Sequence, residues 1–142
     1  MKYLTLILFS LFVSCNRGET ISEAQREEFV IMAQNYQSAY MDGSENCEEI
    51  LTAIDENIQM WENGKVWTYS ELKEFCPHLP EKNVVATYND QKLLNPELGY
   101  DYVSQLFVVQ SGDTMRETSS RLWEKKDEAW KIVKMNNLIM MK

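Results

Sequence analysis

Three stretches decide the fold: YDYVSQLFVVQ at residues 100–110, TMRETSSRLWEK at 114–125 and WKIVKMNNLIM at 130–140. Each is rich in β-branched and aromatic residues, and short polar turns separate them. A similar run, NVVATYNDQKL, occupies residues 83–93. Because turns this short join neighbouring antiparallel strands, the second half of the chain is predicted to form an antiparallel meander.

Residues 22–41 have apolar side chains at three- and four-residue steps, which indicates an amphipathic helix. Ser22 and Gln25 have the spacing of a capping box, in which each side chain accepts a hydrogen bond from the other residue's backbone N–H. We expect the helix to run from this box to about Met41. Gly43 would then end it, because glycine readily adopts the backbone angles found after a helix.

Residues 44–68 carry two competing signals. Asn63-Gly64 favours a tight hairpin between residues 58–62 and 65–68. We therefore expect a second helix that runs into a short strand, and then a short helix over residues 69–75. Helical spacing links five apolar residues before the hairpin: Ile50, Leu51, Ile54, Ile58 and Trp61.

The composition describes one ordinary globular domain. The chain has 142 residues, of which 44% are hydrophobic and 25% charged. Its net charge of −8 repels phosphate, and it has no basic stretch interleaved with aromatic residues, so nucleic-acid binding is not expected. Helices followed by a run of strands predict an α+β fold, with N-terminal helices packed on a curved antiparallel sheet.

The N-terminus has the pattern of a signal peptide. Lys2 supplies a positive charge, residues 3–13 form an apolar run, and Ser14 and Cys15 follow at once. The apolar run is too short to cross a bilayer core, which takes about 20 helical residues. We therefore expect export rather than a membrane-spanning helix.

The sequence FVSC at residues 12–15 resembles a bacterial lipobox, although Phe12 stands where leucine is usual. We predict a signal peptide over residues 1–14, a lipidated Cys15 with a tether over 15–23, and a folded domain over 24–142. The predicted location is the bacterial cell envelope, with the lipid anchor as the only membrane contact. A plain secretory signal with an incidental cysteine is the alternative.

Two cysteines remain, Cys47 and Cys76. Export would place them where disulfides persist, so we expect them to form one bridge, with two buried free thiols as the alternative. Cys76 and the single histidine, His78, do not make a zinc site, because no paired ligand spacing accompanies them. Pro77 between them also disfavours a catalytic thiol–imidazole pair. No metal or cofactor is predicted.

The order of elements resembles a known family, together with the turn WENG at residues 61–64 and the closing phrase WEKKDEAWKI at 123–132. This pattern is similar to the nuclear transport factor 2-like superfamily, in particular its SnoaL-like and ketosteroid-isomerase-like bacterial domains. The resemblance covers residues 24–142. It implies a cystatin-like cone, in which a bent sheet wraps around helices and an apolar pocket opens at the wide end.

If the chain forms such a cone, some of its aromatic residues should line the pocket. The predicted lining residues are Trp61, Tyr69, Tyr88 and Tyr102. Catalytic relatives place a carboxylate base in the pocket, where apolar surroundings raise its pKa. The acids that could serve here are Asp55, Glu62, Asp90, Asp101 and Glu117. None lies in a matching motif, so we expect each to be solvated and predict no catalytic residue.

The resemblance covers enzymes and binding domains alike, so the fold does not choose the function. We expect a non-catalytic module that binds a small apolar or amphipathic ligand. One alternative is an isomerase or dehydratase of the same fold. Another is a dimerising assembly module, so a homodimer is a further expectation.

Overall fold

This computed structural model describes residues 20–141; the predicted signal peptide, the lipidation site at Cys15 and the first part of the tether lie outside the described residues. Within them, no helix combines the length and the apolar character needed to cross a membrane. The helices are α1 (Glu23–Asp42), α2 (Cys47–Thr52) and α3 (Tyr69–Phe75), with 3₁₀ turns at Gly43–Asn46 and Cys76–His78. The strands are β1 (Ile54–Glu62), β2 (Lys65–Trp67), β3 (Asn83–Asn95), β4 (Leu98–Val108), β5 (Thr114–Lys126) and β6 (Ala129–Met141).

The capping box predicted for α1 is confirmed. The Ser22 hydroxyl accepts from the Gln25 N–H at 3.2 Å, and the Gln25 side chain accepts from the Ser22 N–H at 2.8 Å. The helix ends at Asp42, where Gly43 has a φ of +83°. A Cβ added at Gly43 would lie 2.9 Å from the backbone nitrogen of Glu81, so this position excludes a side chain as well as favouring the left-handed region.

The strands form one curved sheet in the order β2-β1-β6-β5-β4-β3. Strands β3 to β6 pair antiparallel in sequence order, so the predicted meander and the α+β class are confirmed. Strand β1 pairs parallel to β6, which makes the sheet mixed. This parallel pair was not predicted from the sequence, because it joins segments that lie far apart in the chain.

The predicted second helix is too long. Helix α2 ends at Thr52, and β1 begins at Ile54. Ile54 and Ile58, which were assigned to a helical face, instead lie in β1, where both side chains are buried. A backbone hydrogen bond from the Ile132 N–H to the Ala53 carbonyl, at 2.8 Å, fixes the start of the pairing with β6. The β-branched side chains at both positions suit this extended backbone.

The core joins α1 to the inner face of the sheet. Trp123 is fully buried, and its indole meets the rings of Phe29 and Tyr36 edge-on at 6.4 and 5.5 Å. Trp130 also packs against Phe29, at 5.1 Å, so both tryptophans of the closing phrase pack on the same helix residue. A Cβ at Gly99 would lie 2.2 Å from the Phe29 ring, which shows how closely α1 approaches β4.

Candidate functional site

A small pocket lies between α1, α3 and the β1–β6 part of the sheet. Its volume is about 40 Å³. A single water needs about 10–15 Å³ by the same measure, so the pocket has room for a few waters or a short aliphatic group. Most of its wall is apolar: Ile50, Leu51, Ile54, Met60, Trp67, Leu72, Phe75, Leu79 and Met135.

Local sequence holds the α3 side of this wall in place. Thr68 caps α3: its hydroxyl accepts from the Glu71 N–H, and the Glu71 carboxylate accepts from the Thr68 N–H at 2.8 Å. Beyond the helix, Cys76 forms a disulfide with Cys47, at a Cα–Cα distance of 5.6 Å. This distance is typical of a bridge. The cap and the crosslink together position Leu72 and Phe75 over the pocket.

The polar end of the pocket is formed by Glu62 and Asn137, which lie opposite each other in the register of β1 and β6. The Ser119 hydroxyl donates to the Asn137 carbonyl oxygen at 2.7 Å, which leaves the amide N–H groups to face Glu62. Burial raises the pKa of Glu62 above its ordinary value, and the nearby Glu117 carboxylate adds to this, while Asn137 and the cation of Lys82 oppose it. The pocket therefore contains one carboxyl group that resists ionisation.

Behind the polar end, two carboxylates are buried as ion pairs. Asp101 accepts from Arg121 Nε at 3.0 Å and Nη2 at 2.5 Å, and also from the Trp123 indole at 2.9 Å. Glu117 lies 2.5 Å from Lys82 Nζ and accepts from the Tyr40 hydroxyl at 3.0 Å. All four charged side chains are at most 6% exposed.

The expectation that Asp101 and Glu117 are solvated is therefore wrong. Both lie on the inner face of the sheet, where strand alternation also places Val103 and Phe107. Asp101 lies directly opposite Arg121 in the β4–β5 register, so each charge meets its counter-ion across the strands. Because β4 and β5 pair around the turn at residues 109–113, counting equal numbers of residues outward from that turn would have placed Asp101 opposite Arg121 from the sequence alone.

Two tyrosines connect the ion pairs to the pocket. Burial raises the pKa of Tyr36 to about 12, and it raises that of Tyr40 well above 10, with the Glu117 carboxylate adding to the effect on Tyr40. Both hydroxyls therefore stay protonated at neutral pH. The Tyr40 hydroxyl donates a hydrogen bond to Glu117, and its oxygen can still accept one.

Trp67 lines the pocket and carries an unpaired donor. Its ring packs against Phe75 at 5.4 Å and lies 3.6 Å below the Lys65 ammonium. Its buried indole N–H has no hydrogen-bond partner among residues 20–141. Leaving such a group unpaired costs about 1–3 kcal/mol.

The aromatic residues predicted to line the pocket lie elsewhere. Tyr88 and Tyr102 pack together on the outer face of the sheet at 6.2 Å, and Trp61 lies on the same face, below Lys134. Tyr69 packs at the edge of the core, with its hydroxyl 3.5 Å from the Leu51 carbonyl. The error for Trp61 is one of strand parity, because its neighbours Met60 and Glu62 do line the pocket.

A wider groove of about 810 Å³ runs along the other side of α1. Its lining includes the exposed Ile31 and the carboxylates of Glu28, Glu45, Glu48 and Glu49. The groove is wide and open to solvent, whereas the smaller pocket is more enclosed. We therefore place the candidate site in the smaller, more enclosed pocket.

No family model matches the chain, and no curated protein matches it. Solved structures do. An NTF2-like protein of unknown function from Methylobacillus flagellatus aligns with a TM-score of 0.62 at 16% identity, over 85% of this chain and 96% of the other. A hexachlorocyclohexane dehydrochlorinase (LinA) type 2 gives 0.59 at 14% identity, over 85% and 90%. The association domain of C. elegans CaMKII gives 0.59 at 17% identity, over 80% and 95%.

Neighbours with this architecture thus include an enzyme, an association domain and several proteins of unknown function. At these identities the likeness establishes architecture and leaves activity open. The chain has the nuclear transport factor 2-like fold that the sequence pattern predicts.

Proposed function

We propose that this protein is an exported lipoprotein whose domain binds a small apolar or amphipathic ligand without transforming it. The observation that carries the proposal is the partly enclosed apolar pocket with one polar end. Each CH₂ group that a ligand buries against apolar walls contributes about 0.8 kcal/mol to the free energy of binding. Glu62 and Asn137 would orient the ligand.

Native mass spectrometry tests the binding directly. The protein, as residues 16–142, would be purified from an exporting host without denaturation. We expect a mass excess that disappears on denaturation. Leu72→Trp, which fills the pocket, should abolish the excess, whereas Ile31→Trp on the exposed side of α1 should retain it. A bare protein, or an excess that survives Leu72→Trp in a folded variant, would contradict binding in this pocket.

Export and anchoring rest on residues 1–15. In a bacterial host, the full chain should incorporate labelled palmitate and be recovered with the membranes. Cys15→Ala should release the domain, because the acyl chains are the proposed membrane contact. Membrane recovery that persists without Cys15, or no label on the unchanged chain, would overturn the lipid anchor.

Glu62 supports proton transfer as a second candidate function. Its raised pKa and its place beside Tyr40 at one end of an apolar wall suit a general base. Such an enzyme would catalyse deuterium uptake from D₂O next to the carbonyl group of small ketones, as followed by NMR. Glu62→Gln should abolish the exchange, while the same change at the exposed Glu74 should not. No exchange above the solvent rate would favour binding alone.

The outer face of the sheet supports a homodimer. Tyr88, Leu138 and Met140 are exposed there, at 61%, 44% and 43%. We expect light scattering to give the mass of two chains and Leu138→Lys to halve it. Ile31→Lys, on the opposite side of the domain, should leave the dimer intact. A monomeric mass for the unchanged protein would overturn the dimer.

A further inference from the structure

Among residues 20–141 the buried charges cancel in pairs, and one half-buried carboxyl group is left over. Lys82 matches Glu117, and Arg121 matches Asp101. Glu62, the remaining carboxyl group of the interior, belongs to no ion pair formed within residues 20–141. When Glu62 is ionised, the polar end of the pocket therefore carries an excess of one negative charge.

We infer that the ligand of this pocket is a monovalent organic cation, a primary ammonium on a short apolar chain, and that Glu62 is its counter-ion. The inference rests on the proposed binding function and specifies the class of ligand. A buried or half-buried carboxylate without a counter-ion is costly, and an ammonium supplies the missing charge.

The hydrogen-bonding groups around Glu62 fit the same ligand. Its two carboxylate oxygens are acceptors, and the Tyr40 oxygen can act as one too, because the Tyr40 hydroxyl already donates its hydrogen bond to Glu117. The ammonium group offers three N–H donors and no acceptor. The aromatic rings of the pocket are not expected to bind the ammonium through cation–π contacts, because lysines already occupy them. The Lys82 ammonium lies 4.0 Å from the Tyr40 ring, and the Lys65 ammonium lies 3.6 Å from the Trp67 ring.

An anionic ligand does not suit this end of the pocket. The cations of Lys82 and Arg121 are committed to buried carboxylates. Lys65 lies near the exposed Glu71, 3.5 Å away. A negative head group would lie beside Glu62, and the pocket lining found within residues 20–141 contains no lysine or arginine to balance it. Burial raises the pKa of Glu62, and this direction agrees with a carboxyl group that has no ion-pair partner within residues 20–141.

The pocket volume limits the apolar part. About 40 Å³ accommodates a short aliphatic group and excludes an aromatic ring, since an engineered cavity that binds benzene measures about 150 Å³. A four-carbon chain is therefore a suitable probe. Three matched probes differ only in the head group: n-butylammonium, butan-1-ol and butanoate.

NMR titration of residues 16–142, which contain every element of the fold, would follow the pocket methyls of Leu72 and Ile54 and the Trp67 indole. We expect n-butylammonium to bind at least about tenfold more tightly than butan-1-ol, because charge-assisted hydrogen bonds exceed neutral ones by this much. Glu62→Gln should reduce butylammonium to the affinity of butanol. Glu74→Gln, which removes the same charge from the exposed side of α3, should leave all three affinities unchanged.

The outcomes separate this inference from the proposed function. Equal binding of butanol and butylammonium, with no effect of Glu62→Gln in a variant that keeps its native spectrum, would overturn the cation and leave the apolar pocket standing. Tighter binding of butanoate would overturn the cation too. If none of the probes shifts the pocket resonances, both the cation and the binding function proposed above fall.

Discussion

This domain has two polar regions that differ in whether their carboxylates are paired with cations. On the inner face of β4 and β5, Asp101 and Glu117 are each paired with a cation and bound by a further aromatic donor. At the polar end of the pocket, Glu62 has an amide neighbour and no ion-pair partner within residues 20–141. The first arrangement is complete within the protein, as a structural network should be. The second is incomplete, which is the property expected of a site that receives a ligand.

The largest effect should come from breaking the completed region. Asp101→Ala would leave the Arg121 guanidinium buried without its carboxylate, so we expect a loss of about 3–5 kcal/mol in the free energy of unfolding. Urea denaturation monitored by tryptophan fluorescence measures it. Asp90→Ala removes an exposed carboxylate from β3 and should cost less than about 1 kcal/mol. Comparable losses in the two variants would mean that the buried network is not the main stabilising feature.

The pocket wall depends on a covalent link instead. The double variant Cys47→Ser/Cys76→Ser should lose about 3 kcal/mol, because the bridge restricts the unfolded chain between residues 29 positions apart. Adding a reductant to the unchanged protein should produce the same loss. Intact mass before and after reduction should differ by two hydrogens. Alkylation of both thiols without reduction would contradict the bridge.

The same substitution, tryptophan to phenylalanine, can be made in each region, so the two regions can be compared directly. Trp123→Phe removes the hydrogen bond to Asp101 and opens a void in the core, so it should cost about 2–3 kcal/mol. Trp67→Phe removes an N–H that has no partner among residues 20–141, so it should cost less than about 1 kcal/mol. Thermal unfolding of both variants gives the difference. Equal costs would mean that Trp67 has a partner, such as a bound water.

The sequence predicted the meander and α1 because their signals are local. Alternation with period two and short turns define β4 to β6, and the Ser22–Gln25 box defines the start of α1. The start of β1 was wrong because Ile54 and Ile58, four residues apart, lie on one face of a helix and also on one face of a strand. Local spacing does not distinguish these two structures.

The site was harder to predict, because it depends on parity and on pairing across the chain. Trp61 was chosen for its size, but its neighbour Glu62 faces the pocket. The environment of Glu62 is set by Asn137, which β6 brings alongside β1 from the far end of the sequence. Which carboxyl group remains without a counter-ion can be decided only once Lys82 and Arg121 are seen with their partners.

The smallest effect, and the sharpest comparison, should come from Glu62→Gln. Because burial raises the pKa of Glu62, its protonated form favours the folded state; that contribution is complete below the ordinary pKa of 4.5 and is lost as the pH rises through the folded-state pKa. At pH 7 the variant should therefore be the more stable protein, by less than about 1 kcal/mol, and at pH 4 the difference should vanish. The groups that act on Glu62 are Asn137, Glu117, Lys82 and Lys65, with Tyr40 on the facing helix.

Denaturant titrations at the two pH values measure this, with Glu74→Gln as the control that should show no such pattern. A variant less stable than the unchanged protein at pH 7 would mean that Glu62 already has a stabilising partner, and the contrast between the two regions would fail. Saturating n-butylammonium should reverse the order at pH 7, because it stabilises the unchanged protein, which binds it more tightly, more than it stabilises the variant. A carboxylate that weakens the empty fold and strengthens the occupied one contributes to the ligand site rather than to the stability of the fold.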